Sequence, residues 1–244
     1  MTPIIIIPAR LGSTRLPGKV LANIAGLPMI AHVLKRGQEA QLGPVSVACC
    51  EAEVAQAVEK HGGIAVLTDP ALPSGSDRIH AALNELDPAG RHDAIINLQG
   101  DLPSIDPACL AQVLRPLEQG YDIGTLVAPI TSTAEAASPS VVKCVCAFAE
   151  GESVAPALYF SRAAVPYGEG PLWHHIGIYA YRREALGRFV ALPPSALEQR
   201  EKLEQLRALE AGMRIGAVRV DAAPFGVDTP ADLEHARQIL GAAK

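Results

Sequence analysis

The chain has 244 residues, 49% of them hydrophobic and 19% charged, with a formal net charge of −5. This composition excludes a disordered chain and a coiled coil, and the length suffices to bury a substantial core as one large α/β domain or two small ones. The acidic balance argues against nucleic acid as a main partner, which would call for a basic face, but it leaves room for a small anionic substrate met by a local cluster of cations.

Short β-rich runs alternate with amphipathic helical patterns along the first half. "PIIII" reads as a strand buried on both faces, since it shows no alternation. A helix follows around "PMIAHVLKRGQEA", then a strand "VSVACC", a helix "AEVAQAVEKHG", a strand "GIAVLT", a helix "SDRIHAALNEL", a strand "AIINLQ" and a helix "DPACLAQVLRPLEQG". A βαβα series of this kind predicts a parallel sheet flanked by helices. The second half is less regular. "DIGTLVAPI", "VVKCVCAF" and "HHIGIYAYR" read as strands, and "PSALEQREKLEQLRALEAG" as the clearest helix, with Ser195 and Glu198 forming a capping box. A strand "IGAVRV" and a last helix come next, the helix opened by Thr229 as N-cap and Pro230 at its first position. No linker, repeat or low-complexity tract divides the chain, so one domain over 1–244 is expected.

The five cysteines, Cys49, Cys50, Cys109, Cys144 and Cys146, lack histidines at zinc-site spacing and read as small apolar fillers in a reducing compartment. No basic leader with a cleavage site and no apolar run of membrane-spanning length is seen, so a cytoplasmic location is expected.

Ligands of open parallel sheets bind beyond the carboxyl ends of the strands, which singles out three loops. "PARLGSTRLPGK" combines Gly12 and Gly18, Ser13 and Thr14, and the cations Arg10, Arg15 and Lys19. Small residues let backbone N–H groups wrap phosphate oxygens while cations offset their charge, so this loop predicts triphosphate binding. Its glycine spacing is neither the Walker pattern nor the dinucleotide fingerprint. In "NLQGDLP", Asp101 stands at a strand end, where a carboxylate suits Mg²⁺, although a turn aspartate is the plainer explanation. In "LPSGSDRIH", Arg78 lies in the first turn of a helix, where the dipole gives a cation nothing, which leaves a ligand contact and a solvated side chain both open, with a slight lean to the first. Further along, Arg162, His174 and His175 lie close in sequence. The two histidines point to opposite faces of a strand, so at most one faces a given site. Asp228 precedes the last helix, a place that an ordinary helix-start carboxylate also explains.

In order along the chain, "IIPAR", "STRLPGK", "GLPMIAHVLKR", "SGSDR", "NLQGD", "APITST", "LYFSRAAVPY", "HIGIYAYR", "LEQREKLEQLRALEAG" and "GVDTPADLE" resemble the 3-deoxy-D-manno-octulosonate (Kdo) cytidylyltransferases. The resemblance covers nearly the whole chain. It implies an α/β fold like that of other sugar nucleotidyltransferases, a parallel-dominated mixed sheet flanked by helices with a small antiparallel extension that dimerises.

It also implies transfer of CMP from CTP to the C2 hydroxyl of Kdo, with release of pyrophosphate, in lipopolysaccharide biosynthesis. Arg10, Ser13 and Lys19 would hold the CTP phosphates, with Arg15 nearby and reaching the sugar acid. Arg78 would contact the nucleotide and Gln99 would lie where nucleotide and sugar acid are both bound. Asp101 and Asp228 would hold Mg²⁺, and Arg162, His175, Glu204 and Gln205 would line the sugar site. Catalysis would rest on Arg10, Lys19, Asp101 and Asp228. Three positions depart from the family pattern: Leu102 stands where an acid is usual, Cys50 where an aspartate is common, and His174 where an arginine is usual. Two alternatives stay open at this point, activation of a related acid sugar such as 8-amino-Kdo or a sialic acid, and a nucleotide-binding protein without catalysis.

Overall fold

The computed structural model describes residues 1–13 and 16–242. The chain packs as two compact units, one made of Met1–Ala111 with Pro224–Lys244 and the other of Gln112–Ala223.

In the first unit, β1 (Pro3–Pro8) is followed by a two-stranded ribbon, β2 (Asn23–Ile24) and β3 (Leu27–Pro28). Then come α1 (Met29–Glu39), β4 (Val45–Cys49), α2 (Ala52–Lys60), β5 (Ile64–Leu67), α3 (Gly75–Leu86) and β6 (Ala94–Asn97). The strands run in the order β5-β4-β1-β6, every pairing parallel. Central β1 carries the isoleucine run. Ile4 to Ile7 are 2%, 0%, 0% and 0% exposed, as a strand covered on both faces requires. Ser74 caps α3, its Oγ accepting the Asp77 N–H at 3.2 Å. The last helix, Pro230–Gly241, belongs to this unit. Its Leu233 and Ala236 pack with Ile24, Met29 and Val227 in one apolar cluster, and Thr229 and Asp232 cap it reciprocally.

The second unit opens with one of two departures from the sequence expectations. "DPACLAQVLRPLEQG" is not a single helix but two short ones, α4 (Ala108–Gln112, reaching back to the first unit's last residues) and α5 (Arg115–Glu118). Pro116 has no N–H to give and its ring would collide with the carbonyl of Gln112, so the helix has to restart with the proline in its first turn. Then come β7 (Ile123–Pro129), α6 (Thr133–Ala137), β8 (Lys143–Val145), β9 (Val154–Pro156), β10 (Tyr159–Ser161), β11 (Trp173–Arg182), α7 (Arg183–Ala191), α8 (Ala196–Glu201), α9 (Leu206–Glu210) and β12 (Ile215–Arg219). β7 pairs antiparallel with β11 and parallel with β12, while β8 pairs antiparallel with β10 and β11. The α/β architecture with a mainly parallel central sheet and a small antiparallel addition is therefore as expected.

The second departure is the segment that reads as the clearest helix. It breaks at Lys202, which sits in the left-handed region at φ 56° and ψ 49°. The carbonyls freed by the break are not lost to the interior, because Arg162 donates to the carbonyl of Glu201 from Nε (2.9 Å) and to that of Lys202 from Nη2 (3.3 Å). A side chain 40 positions away thus completes the helix end, which no local pattern announces.

Candidate active site

β1 delivers the chain into the loop expected to bind phosphate. The Leu11 carbonyl accepts the N–H groups of Ser13 (2.8 Å) and Gly18 (3.0 Å), which pins both arms of the loop together. The Leu11 N–H donates to Glu51 Oε1 at 3.0 Å, tying the loop to the start of α2. Gly18 has φ +70°, a conformation glycine adopts without strain, and it releases the chain into a 3₁₀ turn headed by Lys19. On the neighbouring strand end, a Cβ at Gly100 would come within 2.9 Å of the Pro8 carbonyl oxygen. Only glycine lets the two strand ends approach this closely, and that approach carries Asp101 to the loop.

These contacts shape a cavity of about 350 Å³ lined by Arg10, Ser13, Lys19, Arg78, Gln99, Asp101 and Asp228, among others. All seven are residues that the sequence singles out. Arg15 lies outside the described residues. Lys19 is the pivot. Its Nζ donates to Asp101 Oδ2 at 2.8 Å, to Asp228 Oδ1 at 2.9 Å and to the Val227 carbonyl at 3.0 Å. Burial acts to lower the Lys19 pKa, but the two carboxylates outweigh it and hold the group above its usual value. Two carboxylates from distant parts of the chain therefore converge on one cationic point. That donor set, hard oxygens in a pair, fits Mg²⁺, which takes one or two carboxylates and completes its shell with phosphate and water. No cluster of three or more candidate ligands exists among the described residues, so phosphate and water would have to supply the remaining positions. Leu102, next to Asp101, is buried at 8% exposure and belongs to the apolar packing beneath the site.

Arg78 is 3% exposed, which removes the solvated reading. Its Nη1 donates to Thr68 Oγ1 at 2.5 Å and to the Asp69 carbonyl at 3.5 Å. Gln99 is steadied by Nε2 donating to Asn97 Oδ1 at 3.0 Å.

The remaining candidates fall in the second unit. Arg162 spends three donors on the carbonyls of Glu201, Lys202 and Pro139. Glu204 and Gln205 follow directly on that clasped break. Gln205 is 7% exposed, and its Nε2 is a buried donor with no hydrogen-bond partner among the described residues, the sort of group that a substrate oxygen satisfies. His175, on β11, is buried with its ring edge-on to Phe160 at 4.8 Å. Its Nε2 lies 3.1 Å from Thr125 Oγ1, and the Thr125 hydroxyl lies within reach of the Ile176 and Ile178 carbonyls. The single hydroxyl proton goes to a carbonyl, so His175 Nε2 carries the hydrogen toward Thr125. Burial, with His174 adding to it, pushes the His175 pKa down to about 3, so the ring is neutral at physiological pH. His174 faces elsewhere, its Nδ1 lying 3.1 Å from Glu135 Oε1. Glu51, Lys143 and Glu201 were not foreseen. Their roles arise from partners remote in the chain, and no spacing encodes them.

The family model described as Cytidylyltransferase matches residues 4–215. A 3-deoxy-manno-octulosonate cytidylyltransferase of Rhodospirillum centenum is 62% identical over 239 residues, covering 98% of this chain and 93% of that one. Its namesake in Paramagnetospirillum magneticum is 60% identical over 243 residues, 99% of each chain. Among solved structures, a CMP:2-keto-3-deoxy-manno-octonic acid synthetase complexed with CTP superposes with a TM-score of 0.90 at 41% identity, over 100% of both chains. A 4-diphosphocytidyl-2C-methyl-D-erythritol synthase, at TM-score 0.66 and 14% identity over 98% and 97% of the two chains, shares the fold.

Proposed function

The chain belongs to the 3-deoxy-manno-octulosonate cytidylyltransferase family, and from that premise we propose how its residues carry out CMP transfer from CTP to 3-deoxy-manno-octulosonate. The observation that carries the reading is the cavity in which Arg10, Ser13, Lys19, Arg78, Gln99, Asp101 and Asp228 meet. Arg10, Ser13 and the pinned loop backbone hold the triphosphate. Lys19 and Arg10 offset charge on the departing pyrophosphate. The sugar's C2 hydroxyl attacks the α-phosphorus in line, so the protein's work is positioning and charge stabilisation, with no covalent nucleophile. Asp101 and Asp228 would hold Mg²⁺, which would supply positive charge at the reacting phosphate. Arg162, Glu204 and Gln205 hold the sugar acid, and neutral His175 contributes a hydrogen bond, not a countercharge.

A homodimer and a cytoplasmic location complete the proposal. The fully exposed Tyr167 and the 64% exposed Leu158 accompany an aromatic cavity of about 370 Å³ at Phe148, Trp173 and Arg219 within the same unit, a knob and a hole suited to a self-complementary contact. Among the described residues, no helix is long and apolar enough to cross a membrane, and all five cysteines are free thiols.

The test is pyrophosphate release with Mg²⁺ and 3-deoxy-manno-octulosonate, with CTP set against UTP, ATP and GTP, and with related sugar acids in place of the first. Release confined to CTP and this acid is expected. No release with any acid would leave only a nucleotide-binding protein. Light scattering at micromolar protein should give the dimer mass.

A further inference from the structure

Lys143 is among the largest fully buried side chains of the described residues, at 0% exposure, and it does not line the nucleotide cavity. Its ammonium donates to the carbonyls of Ser138 (2.9 Å), Val141 (2.7 Å) and Arg162 (2.7 Å). An ammonium has three N–H donors, and all three are used here. The Ser138 carbonyl also accepts the Val141 N–H at 3.2 Å, but a neutral amine has only two N–H groups and would turn its lone pair on the third carbonyl oxygen, so three short contacts favour the charged form.

Among the described residues, no carboxylate pairs with this ammonium. The one carboxylate of the neighbourhood, Glu201, is engaged by the Arg162 N–H at Oε2 (3.0 Å) and by the Ser161 hydroxyl at Oε1 (2.8 Å). Lys143 and Arg162 are thus two cations beside one anion. Burial and the Arg162 charge lower the Lys143 pKa, and Glu201 opposes them. An unpaired buried charge is costly. The surplus positive charge calls for an explanation beyond packing.

Arg162 points to one. Its guanidinium has five N–H groups, and three are taken by the carbonyls of Glu201, Pro139 and Lys202. Two are left. Its own carbonyl is in the grip of Lys143, and the turn that supplies Ser138 and Val141 also contains Pro139, which holds Nη1. Lys143 therefore fixes both ends of Arg162.

We propose that Lys143 is a positioning residue for the acid acceptor. It locks Arg162 so that the two remaining N–H groups form an anion receptor, and its caged charge makes the local field favour a carboxylate. The inference rests on the reading that Arg162, Glu204 and Gln205 receive the sugar acid.

The experiment measures KM for 3-deoxy-manno-octulosonate and for CTP, with kcat, in wild type and in Lys143→Met, with circular dichroism to confirm folding. Loss of one unit charge at this remove should raise KM for the sugar acid about tenfold. KM for CTP, whose pocket belongs to the first unit, should stay within about twofold, and kcat should fall less than KM rises. Lys143→Gln, which loses the charge and the third donor but keeps two N–H groups, should reproduce the split with a smaller loss of stability. Equal changes in both KM values, or an unchanged KM for the acid, would overturn the assignment. So would failure of both variants to fold, which would place the ammonium in folding alone. A wild-type protein that is inactive with this acid would refute the acceptor reading itself, a result separable from all of these.

Discussion

Lowering the pH probes the environment of His175, and comparison with a His175 variant isolates its share. In the unfolded chain an imidazole titrates near 6.5; in the folded protein burial holds this one down at about 3. Between those values the unfolded state binds a proton that the native state refuses, so stability rises with pH across that window and is lost as pH falls. The contribution is complete above pH 6.5. Going from pH 7 to pH 5 should remove about 2 kcal/mol, and the descent to pH 3 about 4 kcal/mol in all, at 1.36 kcal/mol per unit. The ring's surroundings explain the size. Nε2 meets Thr125 Oγ1, and the ring packs edge-on with Phe160 and tilted against Tyr179, so no carboxylate among these contacts stabilises an imidazolium. His175→Gln places an amide nitrogen near the same hydroxyl and removes the titration. At pH 7 the wild type should be the more stable protein, and by pH 5 its advantage should shrink by about 2 kcal/mol in urea unfolding. The His175 Cε1–H resonance should not move between pH 8 and pH 5. A titration midpoint near 6.5, or a stability gap independent of pH, would refute the buried, neutral assignment and restore His175 as a possible countercharge for the acceptor.

Lys19→Ala should lose about 10²–10³ in turnover, the usual cost of removing a preorganised charge that acts in the transition state. A rise confined to KM for CTP would make Lys19 a uniform binding contact instead. Asp101→Asn and Asp228→Asn should each fold and each lose metal-dependent turnover, and the double variant should be little worse than either, because groups acting as one unit are not additive. Single-turnover formation of CMP-sugar across a Mg²⁺ titration reads this, and near-normal activity in either folded single variant would remove that residue from the metal site. Lys202→Gly should raise stability by about 0.5 kcal/mol, since glycine takes the left-handed conformation without the Cβ penalty. A lower melting midpoint would show that the Lys202 side chain has packing of its own to lose.

Elements whose causes are local could be read from the chain. The isoleucine run of β1 and the Thr229–Pro230 opening of the last helix each contain their own reason, covered faces in one case and a cap in the other. So do the residues at strand ends, because topology alone carries Arg10, Arg78 and Asp101 to one edge. What escaped depends on distant partners. The break at Lys202 has every helical propensity against it and exists because Arg162 receives the carbonyls it frees. Pro116 could have been read, since a proline inside a periodic pattern signals a restart. Glu51 and Lys143 offered nothing to read: one holds the loop at Leu11 and the other the turn at 138–141, and neither spacing nor composition places a side chain against a main-chain group far along the chain. Lys19 was assigned to phosphate from its loop, but its place between two carboxylates depends on residues 82 and 209 positions later.

The first unit is discontinuous in the chain, since its final strip, Pro224–Lys244, is made only after the whole of the second unit. That strip supplies Asp228 and the Val227 carbonyl to Lys19, and the Val227 N–H donates to the Asp101 carbonyl at 2.9 Å. During synthesis, the four parallel strands can therefore assemble on the ribosome while Lys19 faces Asp101 alone and the apolar cluster around Ile24 and Met29 lacks Leu233 and Ala236. Domains tend to fold as they emerge, but here vectorial synthesis yields a sheet with an unfinished site. A nascent chain stalled before residue 224 would have the loop after β1 without the second carboxylate, so the Asp101–Lys19–Asp228 arrangement is completed by the last helix rather than by the sheet that surrounds it.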